Sequence, residues 1–275
     1  MIDEAVILLG GMGTRLLPLT KTISKEMLPI YDVPNVFLLV EEAFNSGIRK
    51  VIFVLTEHNI NLIKQFFSKD DYLEEFLQNK PDKQKLLDRI NKVIDNMEFT
   101  FIYQDLLGTY GALYSAKDYI KNDNFIVMYG DDVIDSYEPL TKQLINNYYK
   151  TNKQQVAVYE YKDNLPKSGI VVTDENNNII DLVSKDKTNS NLVIHGRMLL
   201  NKKIFDIKDK IKQQDNGEYY LPHSLLNFKD VNAYIYQGKY FNIGEKTGFI
   251  KASIHYALKD SNEKTSLLKF LKEEL

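Results

Sequence analysis

The sequence predicts an α/β fold: a Rossmann-like mixed sheet flanked by helices, with a small β-hairpin and helical additions in its second half. Three observations carry that expectation. Residues 4–10, EAVILLG, form a continuous apolar run of the kind that strands buried on both faces of a parallel sheet show. Glycines 10, 11 and 13 follow at once, at the strand end where open α/β sheets bind ligands. Residues 34–47, PNVFLLVEEAFNSG, then read as a helix with Pro34 at its start and Gly47 past its end, and RKVIFVLTE as a second buried strand, which completes a βαβ unit.

The remaining elements follow from the same signals. Residues 59–95 are charged and helical, with Pro81 separating two helices, and EFTFIYQ (98–104) is a third strand. DNFIVMYGDD is a fourth, ending in two acidic residues, Asp131 and Asp132. TKQLINNYYKTN predicts a helix and QQVAVYEY a strand. In SGIVVTDENNNIIDLVS the polar ENNN joins two short apolar runs, the pattern of a hairpin. LVIHGRMLL reads as another strand, followed by a helix from about Asn201, a strand VNAYIYQ, a short KYFNIG segment and two terminal helices.

With 275 residues, 44% of them hydrophobic, the chain can bury a full core. A net charge of -3 gives no general attraction to nucleic acid or anionic membranes, so neither is an expected partner, and any positive charge at a site must be local. The lack of cysteine excludes a disulfide framework and thiolate metal ligation. No apolar stretch approaches the roughly 20 residues of a membrane span, and MIDEAVILLGG lacks the basic start of a signal peptide, so the expected location is cytoplasmic. His58, His195, His223 and His255 have no metal-ligand spacing.

Two common phosphate loops can be tested directly. GxxxxGK[ST] does not occur, and GxGxxG fails because GMGTRL has leucine where the third glycine belongs. What remains is a loop rich in backbone N–H groups that carries Arg15, with Lys25 ten residues on, a combination suited to an anion of several charges such as a triphosphate.

GGMGTRLLPLTKTISKEMLP resembles the signature GxGTRxxPxTxxxPKxxLP of the sugar-1-phosphate nucleotidyltransferases, and KEMLP is similar to the form found in bacterial UTP:glucose-1-phosphate uridylyltransferases. Similar pieces run on: Gln104 ending the third strand, GDDVI, SGIVV, SNLVIHGR, GEYYL and GKYFNIGEKTGF. The resemblance implies one nucleotide-diphospho-sugar transferase domain over 1–275, with a nucleotide-binding half to about 135, a sugar-binding half over about 136–250 and C-terminal helices over about 246–275. It implies UTP and a hexose 1-phosphate as substrates and Mg²⁺ as cofactor. Arg15 and Lys25 take the catalytic roles, on pyrophosphate and α-phosphate. Gly10, Gly11, Gly13, Thr14, Gln104, Gly108 and Thr109 bind the nucleotide. Asp132, Gly169, Ser184, Lys185, Asn191 and Glu218 surround the sugar phosphate, and Asp131 with Asn242 holds the metal. A homodimer or homotetramer is also implied, with LLKFLKEEL as a candidate surface.

The sequence departs from that pattern in places. Asn242 stands where an aspartate is usual and Ser24 where a proline is; Ser184 replaces the glutamate of an EKP motif, Pro222 and His223 replace TD, and GTYGA puts bulky Tyr110 in a glycine position. LGTYGA and GEYYL lean toward the N-acetylglucosamine-1-phosphate uridylyltransferases. Two alternatives therefore stay open beside glucose 1-phosphate: N-acetylglucosamine 1-phosphate as the acceptor, and a catalytically weakened relative that binds sugar nucleotides.

Overall fold

The computed structural model describes residues 1–167 and 169–274, so Ser168 of the SGIVV stretch and Leu275 lie outside the described residues. In chain order, β1 (Glu4–Leu8) leads through three 3-10 turns to the small pair β2 (Pro29–Ile30) and β3 (Val33–Pro34), then α1 (Asn35–Asn45) and β4 (Lys50–Leu55). Three helices follow, α2 (Ile60–Phe66), α3 (Asp71–Leu77) and α4 (Pro81–Ile94), then β5 (Glu98–Tyr103), α5 (Gly108–Ser115), β6 (Asn124–Tyr129), β7 (Asp132–Asp135), α6 (Leu140–Thr151) and β8 (Gln154–Glu160). The second half adds β9 (Ile170–Thr173), β10 (Ile179–Val183), β11 (Leu192–Asn201), α7 (Leu221–Leu225), β12 (Val231–Ile235), β13 (Lys239–Asn242), α8 (Lys246–Ala257) and α9 (Lys264–Glu273).

The main sheet runs β10-β9-β11-β6-β1-β4-β5, with β8 also paired to β11 and β12 to β8. Strands β6, β1, β4 and β5 are parallel, so their carboxyl ends share one edge. β11 enters antiparallel against β6 and makes the sheet mixed. Both faces are covered. Val36, Phe37, Val40 and Leu144 from α1 and α6 pack on one, and Tyr110, Leu113, Leu221 and Leu225 from α5 and α7 on the other. Two-sided cover explains why β1 reads as unbroken apolar sequence, with all five of its residues buried. Among the described residues, no helix is long and apolar enough to cross a membrane.

The expected hairpin is β9–β10, antiparallel with a bulge near Ile179. The helix expected from about Asn201 is not formed. Two 3-10 turns take its place, Lys202–Phe205 and Lys208–Lys210. The Tyr110 hydroxyl donates to the Ile204 carbonyl at 2.8 Å and ties the first of these turns to α5. Two features had no forerunner in the sequence reading: helix α5, and the ribbon in which β13 pairs antiparallel with β7 and Asn242 lies opposite Asp132.

Candidate active site

Three neighbouring chain segments converge beyond the carboxyl edge of the parallel strands. β1 delivers the glycine loop, β5 leads into Gln104, and β6 continues into Gly130 and Asp131, all of which line a cleft of about 480 Å³. Gln104 reaches across to Gly10, where an added Cβ would sit 1.6 Å from its Oε1, so a larger residue there would displace the Gln104 amide. Its amide nitrogen donates to the Leu106 carbonyl at 2.6 Å, and Oε1, buried, has no hydrogen-bond partner among the described residues. A buried acceptor without a donor in a residue that lines a cleft is open to a ligand N–H. The cleft also takes in Gly11, Gly13, Thr14, Gly108, Thr109 and Glu218. Thr109 Oγ1 accepts the Leu221 N–H at 2.9 Å and the Tyr110 N–H reaches the Tyr219 carbonyl at 2.8 Å, which ties the start of α5 to the GEYYL segment. Tyr110 itself is fully buried on the far side, so its bulk does not narrow the cleft.

The charges at the cleft mouth form one network. Lys25 Nζ donates to Asp131 Oδ2 at 2.9 Å. Burial alone would lower the Lys25 pKa, but Asp131 and Glu26 outweigh it and hold the ammonium above its ordinary value. Burial likewise pushes the Asp131 carboxyl up, and the facing Lys25 brings it below the usual range, so both groups are charged near neutrality. Arg15, 59% exposed, contacts Glu245 at 3.1 Å and stands 3.9 Å from Asp131. An added Cβ at Gly244 would lie 2.9 Å from Asp131 Oδ2, 3.0 Å from Asn242 Oδ1 and 3.1 Å from Arg15 Nη2. The carboxylate of Asp131 and the amide oxygen of Asn242 are thus near neighbours, hard oxygens of the kind Mg²⁺ takes, with Asn242 Oδ1 accepting the Gly244 N–H at 3.0 Å and Asp131 Oδ2 the Lys25 ammonium. Among the described residues no group of three or more His, Cys, Asp or Glu forms a metal cage.

Glu26, next to Lys25, is fully buried, and neither carboxyl oxygen has a hydrogen-bond partner among the described residues. Burial raises its pKa from 4.5 to about 7 against the pull of Lys25. A carboxyl raised in the folded state contributes stability that is full below about pH 4.5 and is lost as pH rises through about 7. Glu26→Gln is therefore expected to stabilise the fold by up to about 3 kcal/mol at pH 8, with the difference shrinking toward zero near pH 4.5. Urea unfolding of both proteins at the two pH values checks this, and a gap independent of pH would contradict it.

The sugar-site expectations divide. Gly169 and Ser184 line a second cavity of about 420 Å³, walled by Leu182, Val183 and Pro222, which shares Thr109, Tyr129 and Tyr220 with the main cleft. Asp132 does not face either cavity. Its carboxylate is buried, accepts the Gly196 N–H at 2.7 Å and the Tyr240 hydroxyl at 2.8 Å, and joins β11 to β13 beneath the site. Asp131 sits in the turn between β6 and β7 while Asp132 opens β7, so the two carboxylates face different surroundings and do different work. Asn191 is also drawn away: its amide donates to the Tyr161 carbonyl at 2.9 Å. Lys185 is exposed at the start of a 3-10 turn and lines neither cavity. The sequence reading passed over Tyr129, whose hydroxyl is buried without a partner among the described residues where the cavities meet. Its sign in the sequence was a large polar ring at the end of an apolar strand. Glu245, the partner of Arg15, gave no sign.

A glycine loop, a cation pair and a single acidic strand end at the edge of a parallel sheet define a protein that handles nucleoside phosphates. Residues 4–259 match the family model described as nucleotidyl transferase, and the chain belongs to that family. It is 35% identical over 284 residues to a UTP–glucose-1-phosphate uridylyltransferase of Staphylococcus haemolyticus, covering 99% of this chain and 98% of that one. Among solved structures, a UDP-glucose pyrophosphorylase complexed with UDP-glucose superposes with a TM-score of 0.84 at 29% identity, covering 94% of this chain and all of the other. The UTP-bound enzyme from Acinetobacter baumannii gives a TM-score of 0.87 at 27% identity, covering 99% of each chain.

Proposed function

We propose that this nucleotidyltransferase is a Mg²⁺-dependent uridylyltransferase that joins UTP to a hexose 1-phosphate, glucose 1-phosphate first, and releases pyrophosphate. The observation that carries the reading is the convergence of Arg15, Lys25 and Asp131 on a cleft floored by Gly10 and Gln104. The full-length kinship with proteins named for this reaction supports it. The reaction forms a bond from the sugar phosphate oxygen to the α-phosphorus and breaks the bond from that phosphorus to the departing pyrophosphate. Positioning and charge neutralisation are the protein's contribution. Gln104 Oε1 accepts the uracil N–H, the N–H groups of Gly11 to Thr14 border the phosphates, and Thr109 lies at the start of α5 beside them. The Lys25 ammonium keeps one hydrogen on Asp131 and turns the others to the α-phosphate. Arg15, exposed and held by Glu245, swings onto the departing pyrophosphate. Gly169, Ser184 and Glu218 border the hexose. Asp131 and Asn242 would hold Mg²⁺, which when bound screens repulsion between the phosphates. The chain acts in the cytoplasm and self-associates.

With only one carboxylate, the metal site is weak. Asn242→Asp is expected to lower the Mg²⁺ concentration for half-maximal rate on the order of tenfold, because a full charge replaces an amide dipole at that spot. A magnesium titration of turnover checks it; an unchanged midpoint would remove Asn242 from the metal site.

Pyrophosphate release from UTP and Mg²⁺, with glucose 1-phosphate and N-acetylglucosamine 1-phosphate in parallel, tests the function. The apolar wall of Leu182, Val183 and Pro222 is the observation that favours including the acetamido sugar. Release with glucose 1-phosphate is the expected result. No release with either sugar, despite binding of UDP-glucose, would leave a sugar-nucleotide binder.

A further inference from the structure

The chain has no cysteine, so its six methionines hold all of its sulfur. Met97, Met128 and Met198 are buried and Met27 is partly buried against the core, which leaves Met1 at the N-terminus and Met12 open to solvent. Met12 is 61% exposed and stands between Gly11 and Gly13 in the loop that lines the main cleft. The N–H groups of Gly11, Met12 and Gly13 donate to no backbone carbonyl among the described residues, so the loop keeps them for another acceptor. Arg15 and Lys25 border the same space.

We infer that Met12 is an oxidation site at which hydrogen peroxide weakens the hold of the glycine loop on phosphates, an effect that rests on the reading of this cleft as a nucleotide site. The thioether sulfur attacks one peroxide oxygen, and an S–O bond forms as the O–O bond breaks. The sulfur is oxidised by two electrons; the departing hydroxide takes the proton left on the transferred oxygen and becomes water. With no thiol in the chain to react in its place, exposure decides which sulfur is oxidised. The sulfoxide turns an apolar tip into a strong hydrogen-bond acceptor. Its oxygen carries partial negative charge, so the free loop N–H groups, Arg15 and Lys25 attract it as they attract phosphate. An acceptor tethered to the loop itself competes with a diffusing ligand at high effective concentration.

Peptide mass after treatment of the full chain with hydrogen peroxide, followed by titration with inorganic tripolyphosphate and with UTP, tests the site. Gain of one oxygen at Met12 is expected well ahead of Met97, Met128 and Met198. Both ligands should then bind about fivefold more weakly, the size of effect that one competing hydrogen bond gives, and methionine sulfoxide reductase should restore them. Met12→Leu keeps the side-chain volume and removes the sulfur, so its affinity should be the same before and after peroxide although its Met1 still oxidises. Oxidation of Met12 no faster than that of the buried methionines, unchanged affinity after oxidation, or an equal loss in Met12→Leu would each overturn the proposal. Tripolyphosphate binding without UTP binding would defeat the uridylyltransferase reading and leave this site standing; if the untreated chain binds neither, both fall.

Discussion

Lys25→Ala is expected to lower the rate of pyrophosphate release by about 10²–10³ at saturating UTP, the cost of removing one preorganised donor from a developing charge. The side chain is nearly buried, and Nζ lies only 3.1 Å from where a Cβ on Gly11 would stand, so the ammonium is wedged between the glycine loop and Asp131. That confinement predicts a second result: Lys25→Arg is rescued poorly, because a guanidinium needs more room than the loop leaves. A purely structural lysine behaves differently. Its loss would leave Asp131 without its cation and lower stability, but turnover of the folded fraction would stay within a few-fold. Measuring turnover per folded molecule, with folding followed by circular dichroism, separates the two outcomes.

The elements legible in the sequence are those whose signal is local. β1, β4 and β6 are covered on both faces, so their apolar runs are unbroken, and Pro81 at the first position of α4 marks a boundary where its missing N–H costs nothing. The site was legible as a list of residue types in order, but their pairings were not. Gln104 meets Gly10 across β4, and Asn242 comes near Asp131 because β13 pairs with β7, placements made between residues far apart in the chain. Asp132 shows the same limit at closest range. Two adjacent aspartates look equivalent on paper, and the turn between β6 and β7 leaves Asp131 at the cleft while Asp132, the first residue of β7, meets Gly196 and Tyr240. The turns after Asn201 are likewise tied from afar, since the Tyr110 hydroxyl that bonds the Ile204 carbonyl comes from α5.

Glu42→Ala is expected to destabilise the fold by about 3–5 kcal/mol, a large share of the roughly 5–15 kcal/mol that holds a domain together. Arg197 is fully buried on β11, and its guanidinium meets the Glu42 carboxylate of α1 through Nε at 3.1 Å and Nη2 at 3.0 Å. Glu42 Oε1 also accepts the Thr141 N–H at 3.1 Å and its hydroxyl at 2.7 Å, so one carboxylate joins α1, α6 and the sheet. Removing it leaves a buried cation that water cannot reach. The paired variant Glu42→Met with Arg197→Met should recover most of the loss, because no charge is left unpaired, with a residue of cost from Thr141. Activity adds a further readout. Arg197 Nη1 holds the Gly196 carbonyl at 2.9 Å, and Gly196 packs so tightly on the Tyr129 ring that an added Cβ would stand 2.3 Å from the tyrosine Cβ. The paired variant is thus expected to fold yet bind sugar phosphate more weakly, with a raised KM and a nearly unchanged kcat. If instead the paired variant is as unstable as Glu42→Ala alone, the ion pair is a net source of stability in this fold rather than a mutual cancellation of two buried charges.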